Sequence, residues 1–252
     1  MSLQGQTILI TGASRGIGRA IALRLAREQP EHIVVGYTMN HRAARQTVAD
    51  IEALGVGASA ISTEVGNSSM LRELFDQVRQ ERGRLDVFVS NAARTSFQSA
   101  LEVDERSWRR VMEINAQAFL LGAQLAAGIM RDNGGGRIIG ISSLGSRYAA
   151  PRYAALGAAK AVIETLTRYL AVELAPDHIN VNVVCGGFVN TESMRLAPDY
   201  ETFTDYIIQR TPAGRLGQPE DLAGVVALLC SPDSDWIRGQ TLIADGGFSL
   251  ML

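Results

Sequence analysis

Cysteine is almost missing from this chain. Cys185 and Cys230 are the two in 252 residues, too few for a disulfide framework and in keeping with a reducing compartment. Histidine is nearly as scarce, and His32, His41 and His178 show no metal-ligand spacing, so no metal site is expected. Charge of either sign is not in excess. A formal net charge of −2 offers no overall basic field to gather nucleic acid or an anionic membrane surface. Long apolar runs are also lacking. The longest covers 118–130 and contains Gln124, short of the roughly 20 residues a membrane-spanning helix needs. Gln4, Gln6 and Thr7 interrupt the first residues, so no signal peptide is expected and a cytoplasmic location is. Internal repeats, low-complexity tracts and linkers are absent too, and 252 residues fit one large domain spanning 1–252 better than two small ones.

What is present is an alternation. Short apolar strands are expected at 7–11, 32–37, 58–62, 85–89, 136–141, 180–184 and 241–243. Helical patterns fall at 17–27, 43–54, 70–82, 107–131, 158–174 and 219–229. Strands this apolar, alternating with helices, predict an α/β fold: a single doubly wound parallel sheet of Rossmann type with helices on both faces.

The first strand runs into a glycine-rich turn containing Gly12, Ser14, Arg15, Gly16 and Gly18 before the helix that includes Ile17. Glycines there let the backbone approach a pyrophosphate, which the free N–H groups of the helix start then bind. An acidic residue about 20 positions on would select NAD, but the second strand ends at Tyr37 and Thr38. Arg15 lies in the turn and Arg42 and Arg45 follow the strand. A guanidinium suits a 2′-phosphate, so NADPH is favoured over NADH, although a solvated helix face also accounts for Arg42 and Arg45.

Tyr153 and Lys160 stand seven residues apart at the start of a helical stretch. Seven residues is nearly two turns, so the phenol and the ammonium can share a face about 10 Å apart along the axis. The positive charge of Lys160 is expected to lower the phenol pKa.

At this point the chain resembles the short-chain dehydrogenase/reductase family along essentially its full length. The residues that carry the likeness are the glycine turn, Asn91-Ala92 after the fourth strand, Asn115, Ser143, Lys160, and Gly186, Gly187, Val189 and Thr191 after the sixth strand. Glu64 and Val65 fall where the family contacts adenine. Together with Thr38 these are the cofactor positions the resemblance implies. It also implies that Lys160 binds the nicotinamide ribose, that Asn115 supports Lys160 through a water, and that Ser143 is catalytic. One position departs. The family's tyrosine should lie four residues before Lys160, and that residue is Leu156, which cannot donate a proton. Tyr153 then reads as the replacement acid. The Tyr-x6-Lys arrangement, with the stretches at 142–148, 166–174, 211–215 and 237–241, is similar to the bacterial enoyl-[acyl-carrier-protein] reductase III branch.

That resemblance implies hydride transfer from NADPH to Cβ of a 2-enoyl thioester, linked to acyl carrier protein or CoA, in fatty-acid or polyketide-type biosynthesis. Ser143 keeps a ketoreductase open, with Tyr153 or Tyr148 as acid, and Leu156 keeps open a catalytically silent dinucleotide-binding sensor. A substrate lid is expected at about 190–215. Its apolar residues Met194, Leu196, Tyr200, Phe203, Tyr206 and Ile207 either line an acyl tunnel or pack the lid down. Arg94, Arg147, Arg152 and Arg195 could form a rim for an acidic carrier protein or a CoA phosphate, or be scattered solvated cations. By analogy with the family a homotetramer is expected.

Overall fold

A computed structural model describes residues 3–95, 97–196 and 200–251. Among these residues seven parallel strands form one sheet, ordered β3-β2-β1-β4-β5-β6-β7: β1 Thr7–Thr11, β2 His32–Tyr37, β3 Gly57–Ser62, β4 Val87–Ser90, β5 Gly136–Ser143, β6 Ile179–Gly186 and β7 Thr241–Ala244. The central strands are buried along their whole length, as in β1 and β6, because helices cover both faces. Helices α1 (Gly16–Ala26) and α8 (Pro219–Cys230) cover one face. Their Ile21, Leu25, Leu222 and Val226 pack with Ile8, Ile10, Val35 and Ile139 of the sheet. On the other face α3 (Ser68–Arg82), α5 (Ala118–Met130) and α6 (Ala154–Glu173) enclose a core in which Phe75 and Phe88 meet edge to face, centroids 5.2 Å apart. Helix α2 (His41–Glu52) flanks β2 and β3.

Local chemistry sets the helix ends. The Asn40 side chain accepts from Ala43 N at 3.0 Å to start α2, and Asn67 accepts from Ser69 N at 3.0 Å to start α3. Such caps satisfy N–H groups that have no partner within the helix. Gly83, at φ +70°, ends α3 in the left-handed region that glycine tolerates best.

Three elements differ from the sequence expectation. The helix expected at 107–131 is α4 (Glu105–Met112) and α5, joined by a five-residue π segment, Glu113–Gln117. The helix expected from 158 begins at Ala154, which leaves Tyr153 as its N-cap. Within the lid stands α7 (Tyr200–Arg210), not foreseen because its apolar residues are mixed with charged ones. The part of the lid at 197–199 lies outside the described residues. No helix among the described residues is long and apolar enough to cross a membrane.

Sheet order reverses between β1 and β4, and the crevice outside the carboxyl ends of such strands is where open α/β sheets bind ligand. Thr11, Ser90, Ser143 and Gly186 end β1, β4, β5 and β6 along that edge, and the candidate site is built there.

Candidate active site

The glycine turn is held open by its neighbours. Gly12 and Gly16 have φ of +67° and +55°, a region side chains rarely adopt. A Cβ on Gly18 would lie 2.4 Å from both Asn91 Nδ2 and Gly12 O. Asn91 Nδ2 donates to Thr11 O at 2.9 Å and to Gly12 O at 3.0 Å. Ala92 N donates to Thr11 Oγ1 at 3.2 Å. Asn91 and Ala92 therefore brace the turn from the end of β4, a role the motif alone does not disclose.

Arg15 precedes the first residue of α1 and forms an ion pair with Glu192 at the start of the lid, both side chains more than half exposed. Arg42 is exposed on the first turn of α2. Thr38 Oγ1 donates to Thr63 O at 3.3 Å. Glu64 is engaged by Arg110 at 3.0 Å, and Val65 is buried beside it. The Thr191 methyl would lie 3.8 Å from a Cβ on Gly16, so the lid start and the glycine turn face one another. Val189 bridges to Gly217, and Gly187 approaches Asp245 so closely that a Cβ would meet it at 2.7 Å.

Lys160 is buried on α6 and donates through Nζ to Ile141 O at 2.8 Å. Burial lowers its pKa from 10.5 to about 8. Asn115 sits in the π segment, an irregularity often found at functional sites. Its Nδ2 donates to Val111 O at 2.9 Å and Arg94 O at 3.2 Å, which aims Oδ1 the other way. Oδ1 is buried with no hydrogen-bond partner among the described residues. A buried acceptor left alone is costly, and it suits a site completed by a bound molecule or water.

Tyr153 is half-buried, its ring lying against Gly145, where an added Cβ would be 2.4 Å from Cδ1. Burial raises the phenol pKa above 10, partly offset by a hydrogen bond with the Ser143 side chain. The expected lowering by Lys160 is therefore corrected. The ammonium is turned to the β5 backbone, and loss of water around the phenol dominates. Leu156 is 1% exposed and packs with Val111, Ala116, Ala155 and Ala159. The position where the family's tyrosine was expected is thus filled by core.

The lid is packed down. Met194, Phe203 and Ile207 join Phe188 and Phe248 over Leu144 and Cys185, while Leu196 and Tyr206 are at least half exposed. Of the four expected rim arginines, Arg147 is diverted inward to Glu164 and Arg195 donates to Asn190 Oδ1 at 3.2 Å. Ser142, Ser146 and Glu164, which sequence reasoning passed over, meet there in one buried cluster. Their spacing carries no periodic signal, since the contacts arise only when the β5 turn packs on α6.

A family model described as enoyl-(acyl carrier protein) reductase matches residues 12–249. The 1-cyclohexenylcarbonyl-CoA reductase of Streptomyces collinus is 43% identical over 248 residues, 98% of this chain and 88% of the relative. Versicolorin reductase of Emericella nidulans is 35% identical over 256 residues, covering 97% and 96%. Among solved structures, a gluconate 5-dehydrogenase from Burkholderia cenocepacia in complex with NADP and tartrate superposes with a TM-score of 0.92 at 32% identity, covering 99% of this chain and 97% of that one. The chain belongs to the short-chain dehydrogenase/reductase family of oxidoreductases.

Proposed function

We propose that this oxidoreductase is an NADPH-dependent reductase of 2-enoyl thioesters, presented on acyl carrier protein or CoA, within fatty-acid or polyketide-type biosynthesis. The observation that carries the reading is the pairing of Tyr153 with Leu156. One phenol is held at the site by Ser143 and Gly145, and the ordinary donor position is closed by packed core. The Streptomyces relative is named for a substrate of this kind, a conjugated unsaturated CoA thioester. An NADP complex among the similar structures supports the cofactor class.

The residues fit the cofactor. Gly12, Gly16 and Gly18 leave room for a pyrophosphate against the N–H groups of α1. Arg15 ahead of α1 and exposed Arg42 on the first turn of α2 support a contact with a 2′-phosphate. Lys160 has ammonium protons beyond the one given to Ile141 O with which to hold the ribose hydroxyls, and the unpartnered Asn115 Oδ1 supports a water between it and Lys160. When bound, the nicotinamide supplies hydride to substrate Cβ. Negative charge then develops on the thioester oxygen, two carbon–carbon bonds from Cβ. Tyr153 donates its hydrogen bond to that oxygen, and its raised pKa keeps the phenol protonated near neutral pH. Stabilising an enolate this way is oxyanion-hole electrostatics, worth roughly 10²–10³-fold for one well-placed donor. Packing of Met194, Phe203 and Ile207 over Leu144 and Cys185 supports a lid that excludes water. Exposed Tyr169 and Val172 on α6 support pairing of subunits into a homotetramer.

The Ser143–Tyr153 contact also favours a second reading, a ketoreductase whose serine polarises a carbonyl, in line with the likeness to versicolorin reductase. NADPH oxidation with crotonyl and acetoacetyl thioesters tests both readings. The expected result is crotonyl turnover that falls roughly 10²–10³-fold in Tyr153→Phe. Turnover of acetoacetyl alone, or an unimpaired Tyr153→Phe, overturns the proposal.

A further inference from the structure

Glu164 stands one turn beyond Lys160 on α6, and its side chain is 7% exposed. Its Oε1 accepts from Ser142 Oγ at 2.7 Å and from Ser146 Oγ at 2.6 Å. Its Oε2 accepts from Arg147 Nε at 3.2 Å and also takes the Arg147 Nη2 ion pair at 3.2 Å. Ser146 Oγ lies 2.8 Å from Ser143 O as well. Its single proton serves the charged carboxylate, the stronger acceptor. One buried carboxylate thus ties down both ends of the turn from Ser142 to Arg147.

That turn carries the two contacts that seat the phenol. The Ser143 hydroxyl bears on the phenol, holding its pKa down against burial, and Gly145 lies under its ring. Gly145 is confined from the other side, since a Cβ on Gly157 would meet Gly145 O at 2.4 Å. Tyr153 itself is the N-cap of α6 with φ −115° and has no side-chain cap bond. Its ring is placed by this turn together with packing against the cluster of Val111, Leu156 and Ala159. A carboxylate is suited to this because it accepts from several donors at once, where an amide of the same shape must turn an N–H toward one of them.

We propose that Glu164 is a positioning residue for the reduction, holding the Ser142–Arg147 turn so that Ser143 and Gly145 fix the Tyr153 phenol at the substrate oxygen. This rests on Tyr153 being the proton-bearing donor but not on which thioester is reduced. Misplacing a reacting group by about 1 Å costs on the order of 100-fold, and Glu164→Gln, which keeps volume, is expected to lower kcat about tenfold or more by this route. KM and the affinity for NADPH should change little, because the side-chain bonds of Glu164 run to Ser142, Ser146 and Arg147 rather than to the glycine turn or the Lys160 ammonium.

The test is a double-mutant cycle with Tyr153→Phe, run on whichever thioester the enzyme turns over. If Glu164 acts through the phenol, Glu164→Gln lowers kcat in the wild type but changes it less than about twofold in the Tyr153→Phe background. An equal loss in both backgrounds overturns the proposal, as does no loss in the wild type. Ser146→Ala removes one donor to Glu164 without changing a residue of α6, and the same pattern is expected from it should Glu164→Gln fail to fold. A substrate-free readout separates this idea from the choice of reaction. In protein labelled with [ζ-¹³C]tyrosine, the Tyr153 resonance, assigned by its loss in Tyr153→Phe, should shift or broaden in either variant. An unmoved resonance refutes the brace even if the enoyl reading stands. A moved one keeps the brace if acetoacetyl thioester proves to be the substrate.

Discussion

Replacing Lys160 by methionine separates what the lysine does for chemistry from what it costs the fold. Burial depresses its pKa from 10.5 to about 8. At 1.36 kcal/mol per pH unit, that fall means the charged form is disfavoured in the folded protein by ~3 kcal/mol relative to the unfolded chain. The sign follows from proton counting. Between about pH 8 and 10.5 the unfolded chain binds the proton and the folded one does not, so raising pH through this window stabilises the fold. Below about pH 8 the penalty is fully present. Methionine fills similar space without charge and gives up one hydrogen bond, Nζ to Ile141 O at 2.8 Å, worth about 1–2 kcal/mol. Lys160→Met is thus expected to be more stable than the wild type by roughly 1–2 kcal/mol at pH 7. The advantage should shrink above pH 8, reach zero at about pH 9–10 and reverse by about pH 10.5, where the neutral lysine keeps its hydrogen bond without the charge penalty, while NADPH-dependent turnover is lost. Urea unfolding of the cofactor-free proteins, at matched concentration, measures this. Cys185 and Cys230, pushed up to about 12 by burial, weaken both folds above pH 9 and largely cancel in the difference. A variant less stable than the wild type at pH 7, or a difference that ignores pH, would refute the reasoning.

Other perturbations have equally direct outcomes. Leu156→Ala opens a cavity among Val111, Ala116 and Ala159 and should cost about 2–5 kcal/mol in urea unfolding; a loss below 1 kcal/mol would mean the cluster is not packed as described. Gly18→Ala drives a methyl into Asn91 Nδ2 and Gly12 O and should abolish NADPH binding by fluorescence titration, with the fold retained by circular dichroism. Arg15→Ala should weaken NADPH binding about tenfold or more while leaving NADH nearly unchanged, as expected for a charged contact to the 2′-phosphate. Glu192→Gln, which frees Arg15 from its ion pair, should tighten NADPH instead.

Most of the sheet was legible because its strands are short apolar runs bounded by turn residues, as in Thr7–Thr11 and His32–Tyr37; the edge strand Gly57–Ser62, made of small residues and only partly buried, is the exception. Parallel order followed from the intervening helices. Two helix features were not. The π segment at Glu113–Gln117 has ordinary helical composition, and the contacts of Asn115 with Val111 and Arg94 exist only in the folded chain. Helix α7 owes its place to Phe203 and Ile207 packing on Phe188 and Phe248, partners distant in sequence. In the site, the glycine turn and the Tyr153/Lys160 pair were visible as spacings. The direction of the phenol pKa was not, since spacing reports the distance of a charge but not the water removed around each group. Arg147 looked like a solvated rim residue for a related reason: only the folded turn brings it to Glu164.

The central claim is that Tyr153, with Leu156 withdrawn into the core, serves reduction of a conjugated C=C. A one-pot competition tests it most directly: equal crotonyl and acetoacetyl thioesters with limiting NADPH, and products identified by mass. Butyryl thioester is expected from the wild type, with near-complete loss in Tyr153→Phe. Predominant 3-hydroxybutyryl thioester, or butyryl thioester formed equally well without the phenol, would contradict it.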